Sequence, residues 1–87
     1  MPEISRFFGI IIKMFFLDHA PPHFHCEYGD YKAIINIKTQ EIINGELPLK
    51  QLKLVQAWAI IHEIELENNF ISLNSENPTW QKIDPLK

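Results

Sequence analysis

The sequence predicts an α+β two-layer sandwich: an antiparallel meander of about four strands packed against one long C-terminal helix. Three observations carry this. In the N-terminal half, apolar and polar residues alternate in short runs, the period of a strand. Proline and glycine pairs punctuate those runs. From Pro48 onward the apolar spacing changes to three and four, the period of an amphipathic helix.

The first strand is predicted over Phe7–Phe16. Ile10, Ile12, Met14 and Phe16 fall on one face, Phe7, Ile11 and Phe15 on the other, and Lys13 is the only charge. A strand apolar on both faces is expected in the middle of a sheet or under cover on both sides. Leu17-Asp18-His19-Ala20-Pro21-Pro22 follows as a stiff loop, because two prolines fix φ and remove ladder donors.

His23–Tyr28 is the second strand, with Phe24, Cys26 and Tyr28 inward and His23, His25 and Glu27 outward. Gly29-Asp30 suits a two-residue type II′ turn. That turn pairs Tyr28 with Tyr31, Glu27 with Lys32, His25 with Ile34 and His23 with Asn36, and the opposite charges of Glu27 and Lys32 agree with this register. Tyr31–Ile37 is the third strand. Thr39–Glu41 turns the chain into a short fourth strand, Ile42–Asn44, ended by Gly45.

Pro48 opens the helix at a position where proline is tolerated. Leu52, Val55, Ala59, His62, Leu66, Phe70 and Leu73 form one stripe, so the helix is expected from about Pro48 to about Phe70 or a little beyond. A second set, Leu54, Ile60, Ile61 and Ile64, lies off that stripe, and implies contact with another part of the chain or with a second molecule. A homodimer through the long helix is one such arrangement. The tail carries Trp80 and Ile83 and is expected either as a short edge strand or as a cover over the sheet.

With 87 residues, 46% of them hydrophobic, the chain is expected to form a single domain over residues 1–87. One cysteine excludes an internal disulfide and fits a reducing, cytoplasmic setting. The formal charge is −3 and the eight basic residues are scattered, so tight nucleic-acid binding is not expected. Phe7–Leu17 is apolar, but it contains Lys13, lacks a small-residue cleavage site and is too short to span a bilayer, so no membrane association is expected. No glycine-rich phosphate loop, nucleophile elbow or zinc-protease helix is present.

The chemically suggestive stretch is Asp18-His19-Ala20-Pro21-Pro22-His23-Phe24-His25-Cys26-Glu27. Strand alternation places His23, His25 and Glu27 on one face, and the loop delivers Asp18 and His19 beside them. Two chemistries suit this. His19, His23 and His25 are candidate ligands of a divalent transition metal, with Asp18 or Glu27 completing the shell. Alternatively, His23, His25 and His19 are candidate catalytic residues in metal-free acid–base chemistry, since an unperturbed imidazole titrates near about 6.5. A structural lock for the Pro-Pro loop is the third alternative. Cys26 is expected as a small core residue, His62 as a hydrogen-bonded histidine within the helix stripe, and Arg6 as a candidate counter-charge for a phosphate.

Met1-Pro2-Glu3-Ile4-Ser5-Arg6-Phe7-Phe8-Gly9-Ile10, the Asp18–Tyr28 stretch, Gly45-Glu46-Leu47-Pro48, Val55-Gln56-Ala57-Trp58-Ala59 and Ile83-Asp84-Pro85-Leu86 together resemble a bacterial family called domain of unknown function 4160. The chain departs from that pattern at Cys26, where alanine is expected, and at Phe70, where tryptophan is expected. The resemblance marks His19, Pro21, Pro22, His23, His25 and Tyr28 as motif positions without assigning them a reaction. It implies a small cytoplasmic protein encoded beside a small partner protein, in the manner of a toxin–antitoxin pair. A ribonuclease-like toxin using His23 and His25, a metal-binding protein and a non-enzymatic interaction module all remain open on these residues.

Overall fold

A computed structural model describes residues 2–87. Five antiparallel strands follow one another across a single sheet in sequence order: β1 (Glu3–Phe7), β2 (Ile10–Lys13), β3 (His23–Tyr28), β4 (Tyr31–Asn36) and β5 (Ile42–Gly45). Two helices, α1 (Leu49–Ile61) and α2 (Glu63–Leu73), come after the sheet. The α+β meander is therefore as expected, with two corrections of detail.

First, there are five strands rather than about four. The apolar run expected as one strand from Phe7 to Phe16 is folded back on itself at Phe8-Gly9. Both residues have positive φ, 49° and 78°, as a tight hairpin turn of matching twist requires. The run hides the turn because Phe8 is not a usual turn residue. The reversal brings Phe7 opposite Ile10, so both point into the core. A bulge between Glu3 and Ser5 adds one residue to β1, which lets Ile4 and Ser5 both be buried while Glu3 and Arg6 face outward. Phe16, expected beside Met14, is exposed because β2 ends at Lys13.

Second, the expected single long helix is divided at His62. Its backbone (φ −109°, ψ 24°) leaves the helical region, although its N–H still bonds the Trp58 carbonyl and its own carbonyl accepts from Leu66. The phase of the apolar stripe survives the break. Val55, Ala59, Leu66 and Leu73 are fully buried on both sides of it.

The β3–β4 hairpin has the predicted register throughout, with Glu27 opposite Lys32 and His25 opposite Ile34. Gly29 supplies the positive φ at the turn. Gly45 serves a different purpose. A Cβ there would lie 2.1 Å from the Lys32 carbonyl oxygen, so only glycine allows β5 to approach β4 this closely.

The inward face of the sheet and the helices share one core. Trp58 lies at its centre, with ring centroids 5.3 Å from Phe7 and 5.9 Å from Phe24. Burial of aromatic and aliphatic side chains of this size contributes about 1.5–3 kcal/mol each. The tail forms no strand. It covers the core instead: Ile83 is buried and its N–H donates to Ile4 at the edge of β1. The Trp58 indole N–H donates to the Asp84 carbonyl at 2.8 Å, and Asn69 exchanges two hydrogen bonds with the Gln81 backbone. Among the described residues no helix is long and apolar enough to cross a membrane.

Candidate metal centre

Alternation along β3 puts His23 and His25 on the same side of the strand, two residues apart. The Pro-Pro loop supplies the third member. Ile37 donates to the Pro22 carbonyl at 3.1 Å, and His23 Nδ1–H donates to the Pro21 carbonyl at 2.7 Å, so the loop is fastened to the sheet at two successive residues. Asp18 is thereby placed over the strand. Its Oδ2 lies 2.9 Å from His23 Nε2 and 3.0 Å from His25 Nε2. The ligand-capable atoms of Asp18, His23 and His25 all lie within 4.8 Å of one another.

The proton count of this group is unusual. A carbonyl can only accept, so Nδ1 of His23 carries a proton. In a neutral imidazole the other nitrogen then presents a lone pair, and here it would face a carboxylate oxygen at hydrogen-bonding distance. Attraction requires a proton between the two atoms, on the ring or on the carboxyl, or a cation in its place. His25 lacks this constraint, because its Nε2–H can donate to Asp18 in the neutral ring. Burial pushes the Asp18 carboxyl up, but the hydrogen bond from His25 and the charge and hydrogen bond of His23 outweigh it and hold the group below its ordinary range.

His23 is buried, and Phe70 of α2 reaches its ring at 5.6 Å between centroids. His25 and Asp18 are half-buried. Phe15 packs edge-on against His25 at 4.2 Å and fixes the ring. An open depression of about 390 Å³ begins at His25 and runs across β3, β4 and β5, past Glu27, Lys32, Ile34 and Asn44. One side of the cluster is therefore closed by aromatic rings and the other opens onto a groove.

The structure brings together only part of the predicted set. Asp18, His23 and His25 converge, whereas His19 is exposed in the loop and lies outside the group. Glu27 shares the strand face but is engaged by Lys13 Nζ at 3.1 Å. Arg6 pairs with Glu3 on β1. Cys26 is buried, donates to the Ala33 carbonyl, and has its thiol pushed up to about 12 by burial. His62 donates to Glu65 at 2.6 Å and packs on Trp58, and is not a member of the Asp18–His23–His25 group. Sequence reasoning missed Phe15 and Phe70 as the walls of the site. Their contacts depend on how the loop and α2 fold over β3, for which one strand's alternation carries no signal.

A family model described as Domain of unknown function (DUF4160) matches residues 9–70. The chain belongs to that family. No curated protein and no solved structure matches it. The DUF4160 match takes in the whole Asp18–His23–His25 group, all of β2 to β5, and the helices as far as Phe70. It also includes Phe15, so every side chain that builds the cluster lies within the DUF4160 region.

Proposed function

We propose that this DUF4160 protein binds one divalent transition-metal ion through Asp18 Oδ2, His23 Nε2 and His25 Nε2. The observation that carries this is the His23 ring. Its Nδ1–H is committed to a backbone carbonyl while its Nε2 points at a carboxylate oxygen. Metal-binding histidines are oriented in this way by a carbonyl on the far nitrogen. A cation between Nε2 and Oδ2 also resolves the opposed lone pairs.

Two imidazoles and one carboxylate suit zinc and its first-row neighbours. Ligand atoms about 2.0–2.2 Å from a tetrahedral ion stand roughly 3.3 Å apart. Two of the three separations, 2.9 and 3.0 Å, are close to that value, and the third pair, the two histidine nitrogens, lies within 4.8 Å. Three protein ligands leave a position for water or substrate, and the groove begins at His25, one of the three. An ion held by Asp18, His23 and His25 would supply Lewis-acid polarisation of an oxygen bound beside it.

Calorimetric titration of untagged protein with Zn²⁺ and Ni²⁺ tests this, alongside His25→Ala and Asp18→Asn. Near-stoichiometric binding to the wild type, lost in both variants while their circular dichroism is unchanged, is the expected result. A folded wild type that takes up neither metal overturns it.

A second reading is metal-free acid–base chemistry by His25 oriented by Asp18, the arrangement of a positioned general base. The family resemblance supplies its context, a toxin–antitoxin pair acting on RNA with a partner encoded alongside. Absence of metal binding, together with growth inhibition that His25→Ala abolishes, would favour it over the metal site.

A further inference from the structure

The outer side of the helix layer has the composition of an interface. Ile60, Ile61, Ile64 and Ile71 are 62–73% exposed. With Ala57 they recur at spacings of three, four and seven along α1 and α2, on the side opposite buried Val55, Ala59, Leu66 and Leu73. Four exposed isoleucines in one row exceed the scattered apolar residues of an ordinary monomer surface.

Charge says what covers the row. α1 carries only basic residues, Lys50 and Lys53, and α2 carries only acidic ones, Glu63, Glu65 and Glu67. A second copy laid antiparallel across the row sets each basic half against the other's acidic half, while a parallel copy opposes like charges. Within the monomer the lysines stand near the N-terminal end of α1, whose first turn holds no acidic residue, so they face the positive end of the helix dipole without compensation. Glutamates from an antiparallel neighbour supply that compensation. An isologous pair also needs the same patch on both copies, which a row running through the His62 break provides.

We infer that this face is the interface of an antiparallel, two-fold symmetric homodimer, with the isoleucine row at its centre and Lys50/Lys53 paired with the partner's glutamates. The inference makes no use of the metal site. Sedimentation equilibrium over a range of concentrations tests it on the full chain. Wild type is expected to dimerise, and Ile64→Asp to weaken the dimer by at least about a hundredfold while circular dichroism stays unchanged. Lys50→Glu/Lys53→Glu is expected to weaken it by about tenfold, and adding Glu63→Lys/Glu67→Lys to restore it. A wild type that is monomeric at the highest concentration overturns the inference, as does a dimer indifferent to Ile64→Asp. A Lys-to-Glu variant that is not rescued by the compensating pair overturns the antiparallel arrangement.

Discussion

His23 donates its Nδ1–H to the carbonyl of Pro21, two residues earlier in the chain, at 2.7 Å. The bond joins the start of β3 to the loop that carries Asp18, so the ring both builds the loop and presents Nε2 to the candidate site. His25 has no such duty. The two histidines are therefore expected to separate in stability measurements. His23→Ala removes a buried ring with its hydrogen bond to the Pro21 carbonyl and an aromatic contact, for a cost of about 2–4 kcal/mol, and His25→Ala costs about 1 kcal/mol. Urea unfolding of both variants without added metal checks this. Equal losses would mean that the loop is not held through His23.

Metal, if bound at this site, stabilises the native chain by mass action. Zn²⁺ at a hundred times its dissociation constant is expected to raise the unfolding free energy by about 2.7 kcal/mol. The same addition should leave Asp18→Asn unmoved, because the amide removes the anionic ligand and keeps the shape. Thermal melts with and without Zn²⁺ give the comparison. An equal rise in both proteins would place the ion elsewhere.

Cys26 gives a pH dependence whose sign follows from its environment. Burial raises the native thiol from an ordinary 9.0 to about 12. The stability linked to it is complete below the unfolded value and is lost as pH rises through that value toward the native one, because the unfolded chain then releases a proton that the native chain keeps. The loss approaches about 1.4 kcal/mol per pH unit above the unfolded value. Cys26→Ala should lack this component, so unfolding free energies of the two proteins measured from about pH 8 to about pH 10.5 should converge as pH rises. Parallel curves would show that the thiol is not desolvated.

Gly45 and Gly29 both have positive φ, yet alanine is expected to affect them unequally. At Gly29 a new Cβ meets nothing within 4 Å, leaving only the backbone term of about 1–2 kcal/mol. At Gly45 the same atom runs into the Lys32 carbonyl, and β5 must move away from β4. We expect Gly45→Ala to cost at least about 1 kcal/mol more than Gly29→Ala and to lift amide protection in β5. Hydrogen exchange on both variants tells them apart.

How far the fold can be read from the chain varies by element. The β3–β4 hairpin was legible to the residue, because Gly29-Asp30 and the Glu27/Lys32 pair both specify one register. The β1–β2 hairpin was not, since Phe8 adopts a left-handed backbone inside an unbroken apolar run, and hydrophobicity reports burial without direction. The helix stripe was visible at Val55, Ala59, Leu66 and Leu73 but not at buried Trp58 and Asn69, and the break at His62 was not visible, because the same stripe continues across it. Of the candidate site, alternation delivered His23 and His25 together, and adjacency suggested Asp18. The exclusion of His19 and the diversion of Glu27 to Lys13 are matters of loop path and cross-strand neighbours, which a spacing rule does not contain.

The tail is gripped by Trp58 and Asn69, but through its main-chain atoms alone: the Asp84 carbonyl, the Gln81 carbonyl and the Gln81 N–H. Evolutionary constraint is therefore lopsided across these bonds. The side chains of Gln81 and Asp84 take no part in them and are free to drift, with proline barred at 81 because it would delete the N–H. The indole at 58 and the amide at 69 have no such freedom. In diverging relatives positions 81 and 84 can change their letters while the tail keeps its path, as long as the two helix residues that hold it stay the same and an apolar side chain still fills the core place of Ile83.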